Sequence, residues 1–302
     1  MSFCITECCR LDKRVSLEMH DRSLAVMGVA HLRGKLYVVF LDSTDIAVYQ
    51  TNITDTTRGV TGSCQKPTNV IKVKGILGAK DIVACSISEC CYVPDSSGVW
   101  RVRFDDEIAS AGDNDDGEME KWTVKDAELW FKGSKVNAVS IAAGGNVLLT
   151  TATKLCLHSP AGKLIYAIPL VGDYLEGIQQ AVDTTRETII ICQAILTEDR
   201  LYRISEINWK GELLQSYGGK CAKGDGPLIR PRYAVKDAER GRLFVSDVCS
   251  NRVVLFDDKL RLHGVLVKDE VEYYRRMCYV NELRLLLCCG VYGVVNVYRV
   301  FP

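Results

Sequence analysis

The sequence predicts an all-β fold, a six-bladed β-propeller closed by its own N-terminal strand. Three observations carry that expectation. A phrase of three short apolar runs recurs six times along the 302 residues. A fourth run follows it in five copies and is missing from the last, which stops at Pro302. A spare strand-like segment, Lys13 to Met19, precedes the first copy.

The fifth copy, Ile229 to Val267, shows the pattern. Its runs are Arg232 to Asp237, Arg242 to Ser246, Arg252 to Phe256 and His263 to Val267. Ala238 to Gly241 separates the first two, and Asp247 to Asn251 the next two. β-Branched and aromatic runs bounded by Gly, Asp, Asn and Ser read as strands joined by hairpins. Four antiparallel strands in about 45 residues make one propeller blade.

The copies align on their third run. Val48, Val102, Leu157, Ile204, Leu255 and Val297 mark it, roughly 50 residues apart, a propeller period. The second run recurs at Leu36, Cys91, Val147, Ile189, Leu243 and Leu285. Three of these end on an acid, Asp42, Asp95 and Asp247, each expected to accept hydrogen bonds from the backbone of its hairpin turn. Fourth runs are Asn69 to Val73, Glu120 to Val124, Lys163 to Ala167, Glu212 to Ser216 and the His263 run. Residues 13–19 then supply the outer strand of the last blade, closing the ring and leaving no open edge between first and last blades. Residues 1–12 are left as a loose end, and 13–302 as one domain.

Composition narrows the function classes. Lys and Arg number 38, as do Asp and Glu, so no global field favours nucleic acid. No apolar run is long enough to span a membrane. Glu7, Cys8 and Cys9 stand where an export signal would be apolar, so a soluble cytoplasmic protein is expected. The 14 cysteines are then reduced, and Cys91, Cys192, Cys288 and Cys289 act as small apolar residues inside strands. The paired cysteines lack the spacing of zinc ligands. Asp105 to Glu120 reads as a solvated acidic loop; its Asp113 to Gly117 stretch puts the glycine one position early for a calcium loop. Trp100, Trp122 and Trp130 are expected to fill the core between blades.

Propellers act at the mouth of the channel lined by their innermost strands. Residues near the start of each first run are Met27, Asp81, Asn137, Glu176, Arg232 and Arg276. Asp81, Asn137 and Glu176 fall in consecutive copies, and three oxygens converging there would suit Ca²⁺ at about 2.3–2.6 Å. The plainer expectation is of polar residues at a wet rim, with no cofactor. Arg232, Arg275 and Arg276 gather in the last two copies, where guanidinium forks suit a partner's phosphate or carboxylate. RNA is the alternative ligand of that face, disfavoured by the neutral net charge. The chain carries no nucleophile elbow, P-loop or dinucleotide fingerprint, so a non-enzymatic role is favoured.

Pro231 to Asp257 resembles an NHL repeat, with its pattern of Pro, Ala, Asp, Gly, Leu, Val, Asp, Asn, Arg-Val and Phe-Asp. Asp81 to Asp105 is a degenerate copy lacking the Pro and Gly. The resemblance implies a six-bladed propeller serving as an interaction platform for protein or RNA. Related six-bladed propellers include gluconolactonase-like calcium hydrolases and amidating lyases. The chain has no spaced Cys/His pairs and no heptads, so the ligase activity of tripartite-motif proteins is not implied. The expected function is thus an NHL-like scaffold for a protein partner. The alternatives are a calcium-dependent, lactonase-like hydrolase at the channel mouth and an RNA-binding propeller.

Overall fold

A computed structural model describes residues 11–18, 25–50, 67–105, 124–133, 136–151, 154–169, 178–195, 201–218, 228–268, 274–290 and 293–301. Among the described residues, twenty-four strands form six four-stranded antiparallel sheets. The chain begins with β1 (Leu11–Glu18). Blade 1 is β2 (Val26–Leu32), β3 (Lys35–Phe40), β4 (Asp45–Gln50) and β5 (Asn69–Lys72). Blade 2 is β6 (Val83–Cys85), β7 (Cys90–Pro94), β8 (Gly98–Phe104) and β9 (Val124–Lys132). Blade 3 is β10 (Val136–Ile141), β11 (Val147–Thr151), β12 (Lys154–His158) and β13 (Leu164–Pro169). Blade 4 is β14 (Ile178–Asp183), β15 (Ile189–Ile195), β16 (Leu201–Ile207) and β17 (Leu213–Gly218). Blade 5 is β18 (Pro231–Asp237), β19 (Arg242–Asp247), β20 (Arg252–Asp257) and β21 (Leu262–Lys268). Blade 6 is β22 (Arg276–Val280), β23 (Leu285–Cys289) and β24 (Val294–Val300), with β1 as its outer strand.

The ring closes as expected. β1 runs antiparallel to β24, with Val15 opposite Val297 and Leu17 opposite Val295. It starts at Leu11, two residues before the expected point; residues 1–10 lie outside the described set. Around the axis each innermost strand touches the next, and β22 touches β2.

Six apolar clusters hold the wheel together, one at each junction between blades. The cluster of Val26, Val29, Leu36, Val38 and Val295 joins blade 1 to blade 6. Alternation along a strand divides its side chains between two junctions. In β19, Leu243 and Val245 face blade 4, and Phe244 faces blade 6. Both faces are therefore buried, which is why these strands read as continuous apolar runs rather than as alternating ones. Trp130 packs edge-on against Tyr92 and donates its indole N–H to the Pro160 carbonyl of blade 3 at 2.9 Å. Trp122 and most of the acidic loop lie outside the described residues. Among the described residues, no helix is long and apolar enough to cross a membrane.

In blade 2 the described outer strand is Val124–Lys132; residues 120–123 of the expected run Glu120 to Val124 lie outside the described residues. Charge pairing marks its register: Arg101 faces Glu128 and Arg103 faces Asp126 across β8 and β9, and both pairs form salt bridges. Opposite charges directly across a ladder favour that register.

Candidate functional site: the central channel

The six first strands begin on one face of the wheel, here the leading face, and end on the trailing face. Four begin with a β-bulge. Pairing steps from Val26 to Gly28, Val136 to Ala138, Ile178 to Gln180 and Pro231 to Tyr233 while the partner strand advances by one residue. Met27, Asn137, Gln179 and Arg232 are the extra residues. A bulge re-aims its residue and leaves it out of the ladder. Three of the four were singled out by sequence alignment. In blade 4 the alignment chose Glu176, whereas the equivalent position is Gln179. An extra residue at the strand start cannot be seen in apolar periodicity, so the register there slipped. Glu176 itself lies outside the described residues.

Asp81 precedes β6 and is 1% exposed. Its Oδ2 accepts the Tyr233 hydroxyl of blade 5 at 3.0 Å and stands 3.4 Å from Nε of Arg276 in blade 6. Its Oδ1 accepts its neighbour Ile82's N–H at 2.9 Å. Arg276 also lies over the Tyr233 ring, 4.9 Å from its centre, and donates to the Lys80 carbonyl at 3.4 Å. Blades 2 and 5 are opposite each other in a ring of six, so this group bridges the channel. Gly28 makes room for it: a Cβ there would stand 2.8 Å from Asp81 Oδ1 and 2.6 Å from the Ile82 nitrogen. Burial pushes the Asp81 carboxyl up to about 6, against the opposing pull of Arg276, the Ile82 N–H and the Tyr233 hydroxyl. Tyr233 is pushed well above its ordinary value, first by burial and then by Asp81.

These surroundings suit an internal charge pair. Both oxygens of Asp81 already accept hydrogen bonds, and a guanidinium stands where a divalent cation would be repelled. Asn137 is turned to a neighbouring blade, its amide donating to the Ile178 carbonyl at 3.2 Å. Among the described residues no cluster of His, Cys, Asp and Glu is arranged to hold a metal ion.

On the trailing side of the bridge lies a funnel of about 600 Å³ lined by all six blades. Its polar lining includes His31, Ser86, Gln180, Lys236, Cys278 and Asn281. Lys236 is tied to Asp183 at 2.5 Å. Burial lowers the His31 pKa, so its imidazole is neutral at pH 7, and its Nε2 has no hydrogen-bond partner among the described residues. Burial pushes the Cys278 thiol up to about 12, leaving it protonated. Tyr233 and His31 were not legible as site residues in the sequence; on an alternating strand each reads only as core.

On the leading side stand Arg230, Arg232 and Arg275. Asp247 holds this corner. Its Oδ1 accepts the Ile229 and Arg230 N–H groups at 3.0 and 2.6 Å, and its Oδ2 the Arg252 guanidinium at 2.9 Å. Asp95 does the same in blade 2, taking the Leu77 N–H at 2.9 Å as well as those of Ser97 and Gly98 in its own turn. The second-run acids thus clamp the chain entering their own blade. Asp42 differs: it is exposed, with a left-handed φ of 57°. Of the three arginines expected to bind a partner, Arg276 is matched within the channel by Asp81, and Arg232 and Arg275 face no carboxylate partner among the described residues.

No family model matches the chain, and no curated protein does. A solved structure does: a catalytically inactive variant of virginiamycin B lyase from Staphylococcus aureus, with quinupristin. It is 10% identical, with a TM-score of 0.57, over 96% of this chain and 99% of that one. The likeness is one of fold. The NHL resemblance of blade 5 therefore stands on its own residues.

Proposed function

We propose that this propeller is an interaction platform holding a protein partner along the outer rims of blades 3 and 4. One observation carries the reading. Leu164, Ile165 and Tyr166 are consecutive residues of the outer strand β13, and all three are exposed. Leu213 and Leu214 on β17 are exposed as well. Tyr166 and Trp209 meet at 5.7 Å between ring centres, which joins the two rims into one apolar strip. Contiguous exposed apolar surface marks interaction sites. An outer strand also offers free backbone donors and acceptors to an added strand.

Among the described residues the cysteines form no disulfide and most are buried, which fits the reducing cytoplasm expected for this chain. The lyase sharing the fold is an enzyme, but chemistry belongs to sites rather than folds. The calcium-hydrolase alternative would need Asp81 released from Arg276. An RNA-binding role would fall to the arginines of the leading face.

The test is affinity capture from native extract with the wild type, with Ile165→Lys/Leu214→Lys, and with Arg232→Gln. A stoichiometric protein retained by the wild type and Arg232→Gln but lost from the rim variant supports the reading. Equal retention by all three, or none by any, overturns it.

A further inference from the structure

We propose that Arg232 and Arg275, flanked by Arg230, form a binding site for a phosphate group on the leading face, at the mouth of the channel. The site is separate from the apolar rim.

Its frame is rigid. Arg232 is the bulged residue of β18, set aside from the ladder between Pro231 and Tyr233. The backbone of Arg230 is fixed at both ends: its N–H donates to Asp247, and its carbonyl accepts the Val248 N–H at 3.0 Å. Arg275 is held by its N–H to the Cys289 carbonyl at 3.1 Å. The Nε atoms of Arg232 and Arg275 are buried and have no hydrogen-bond partner among the described residues. A buried, unpaired donor on a cationic group is costly, and native proteins seldom keep one without a use.

The charge balance points to the same ligand. The neighbour of Arg275 in sequence, Arg276, is already matched by the Asp81 carboxylate, which Tyr233 also engages. At the end of β19 the neighbouring acid is Asp247, which is engaged by Arg252. Arg276, Arg275 and Arg230 all lie near enough to Arg232 that, after burial, their repulsion pulls its pKa down to about 10. Two to three like charges around one partly open spot call for a compact ligand of more than one negative charge. Phosphate supplies this, with oxygens that match the guanidinium fork. Its source is either a free small phosphate or a phosphorylated side chain.

The test is calorimetric titration of the full chain with inorganic phosphate, with a phosphoserine peptide and with acetate, at fixed ionic strength. The variants are Arg232→Gln, Arg275→Gln and Arg232→Lys. The expected result is phosphate binding that each Gln variant weakens about tenfold or more, since a charged hydrogen bond is lost. Arg232→Lys should recover only part of the loss, and acetate should bind far more weakly than phosphate. A peptide binding more than about tenfold tighter than inorganic phosphate identifies a phosphorylated partner; equal affinities identify a small phosphate. Arg232→Gln relieves repulsion and should fold; if it does not, Arg275→Gln decides alone. Phosphate and peptide both failing to bind, both binding unchanged in the Gln variants, or single-stranded RNA binding where neither does, each overturns the proposal.

Discussion

Tyr233 reaches across the axis of the wheel and donates its hydroxyl to Asp81, 3.0 Å away and 152 residues earlier in the chain. The bond ties blade 5 to blade 2. It also divides the channel into a funnel lined by all six blades on the trailing side and an arginine-bearing mouth on the leading side.

Removing that hydroxyl should be felt in stability. In Tyr233→Phe the ring still fills its place under Arg276, but a buried carboxylate oxygen loses a donor. The expected cost is about 1–3 kcal/mol, measured by urea unfolding. A cost within error of zero would mean that the bridge contributes nothing to the closed channel.

Asp81 should titrate in the reverse sense of an ordinary paired carboxylate. Its folded pKa, about 6, lies above the ordinary value of 3.8. The fold therefore holds the proton more tightly than the unfolded chain does. That contribution to stability is full below pH 3.8 and is lost as pH rises through about 6. Two pKa units correspond to about 3 kcal/mol. Asp81→Asn removes this titration and serves as the reference. Relative to that variant, the wild type should lose stability between pH 4 and 7. A difference that does not change with pH would contradict the burial of this acid.

Gly28 should tolerate no side chain. The Cβ of Gly28→Ala would press on backbone at Ile82 and on the fixed carboxylate of Asp81. Overpacking of this kind costs about 1–3 kcal/mol. The Asp81 titration should move with it. A variant as stable as the wild type would show that the first strand of blade 1 sits further from blade 2.

Deleting residues 1–18 should open the ring. β24 would lose its outer partner along the whole register from Leu11 to Glu18 and expose its donors and acceptors. The expected outcome is self-association or precipitation of the truncated chain, read by size-exclusion chromatography and light scattering. A monodisperse, equally stable monomer would show that β1 is dispensable for closure.

How much of this was legible follows from what apolar periodicity can encode. Six recurring runs, a last copy one strand short and a spare strand at the start give blade number and closure without any coordinate, because each blade must bury both faces against identical neighbours. Asp95 and Asp247 were legible too, as acids at one point of the repeat. The chain itself did not disclose the bulges. A bulged residue leaves no mark in an alternating pattern, so the repeat points to Glu176 where Gln179 stands. Nor could it pair Asp81 with Tyr233 and Arg276. Those three come from separate blades, and only closing the circle sets them side by side, where burial and mutual charge decide which acid is neutralised and which arginines are left open.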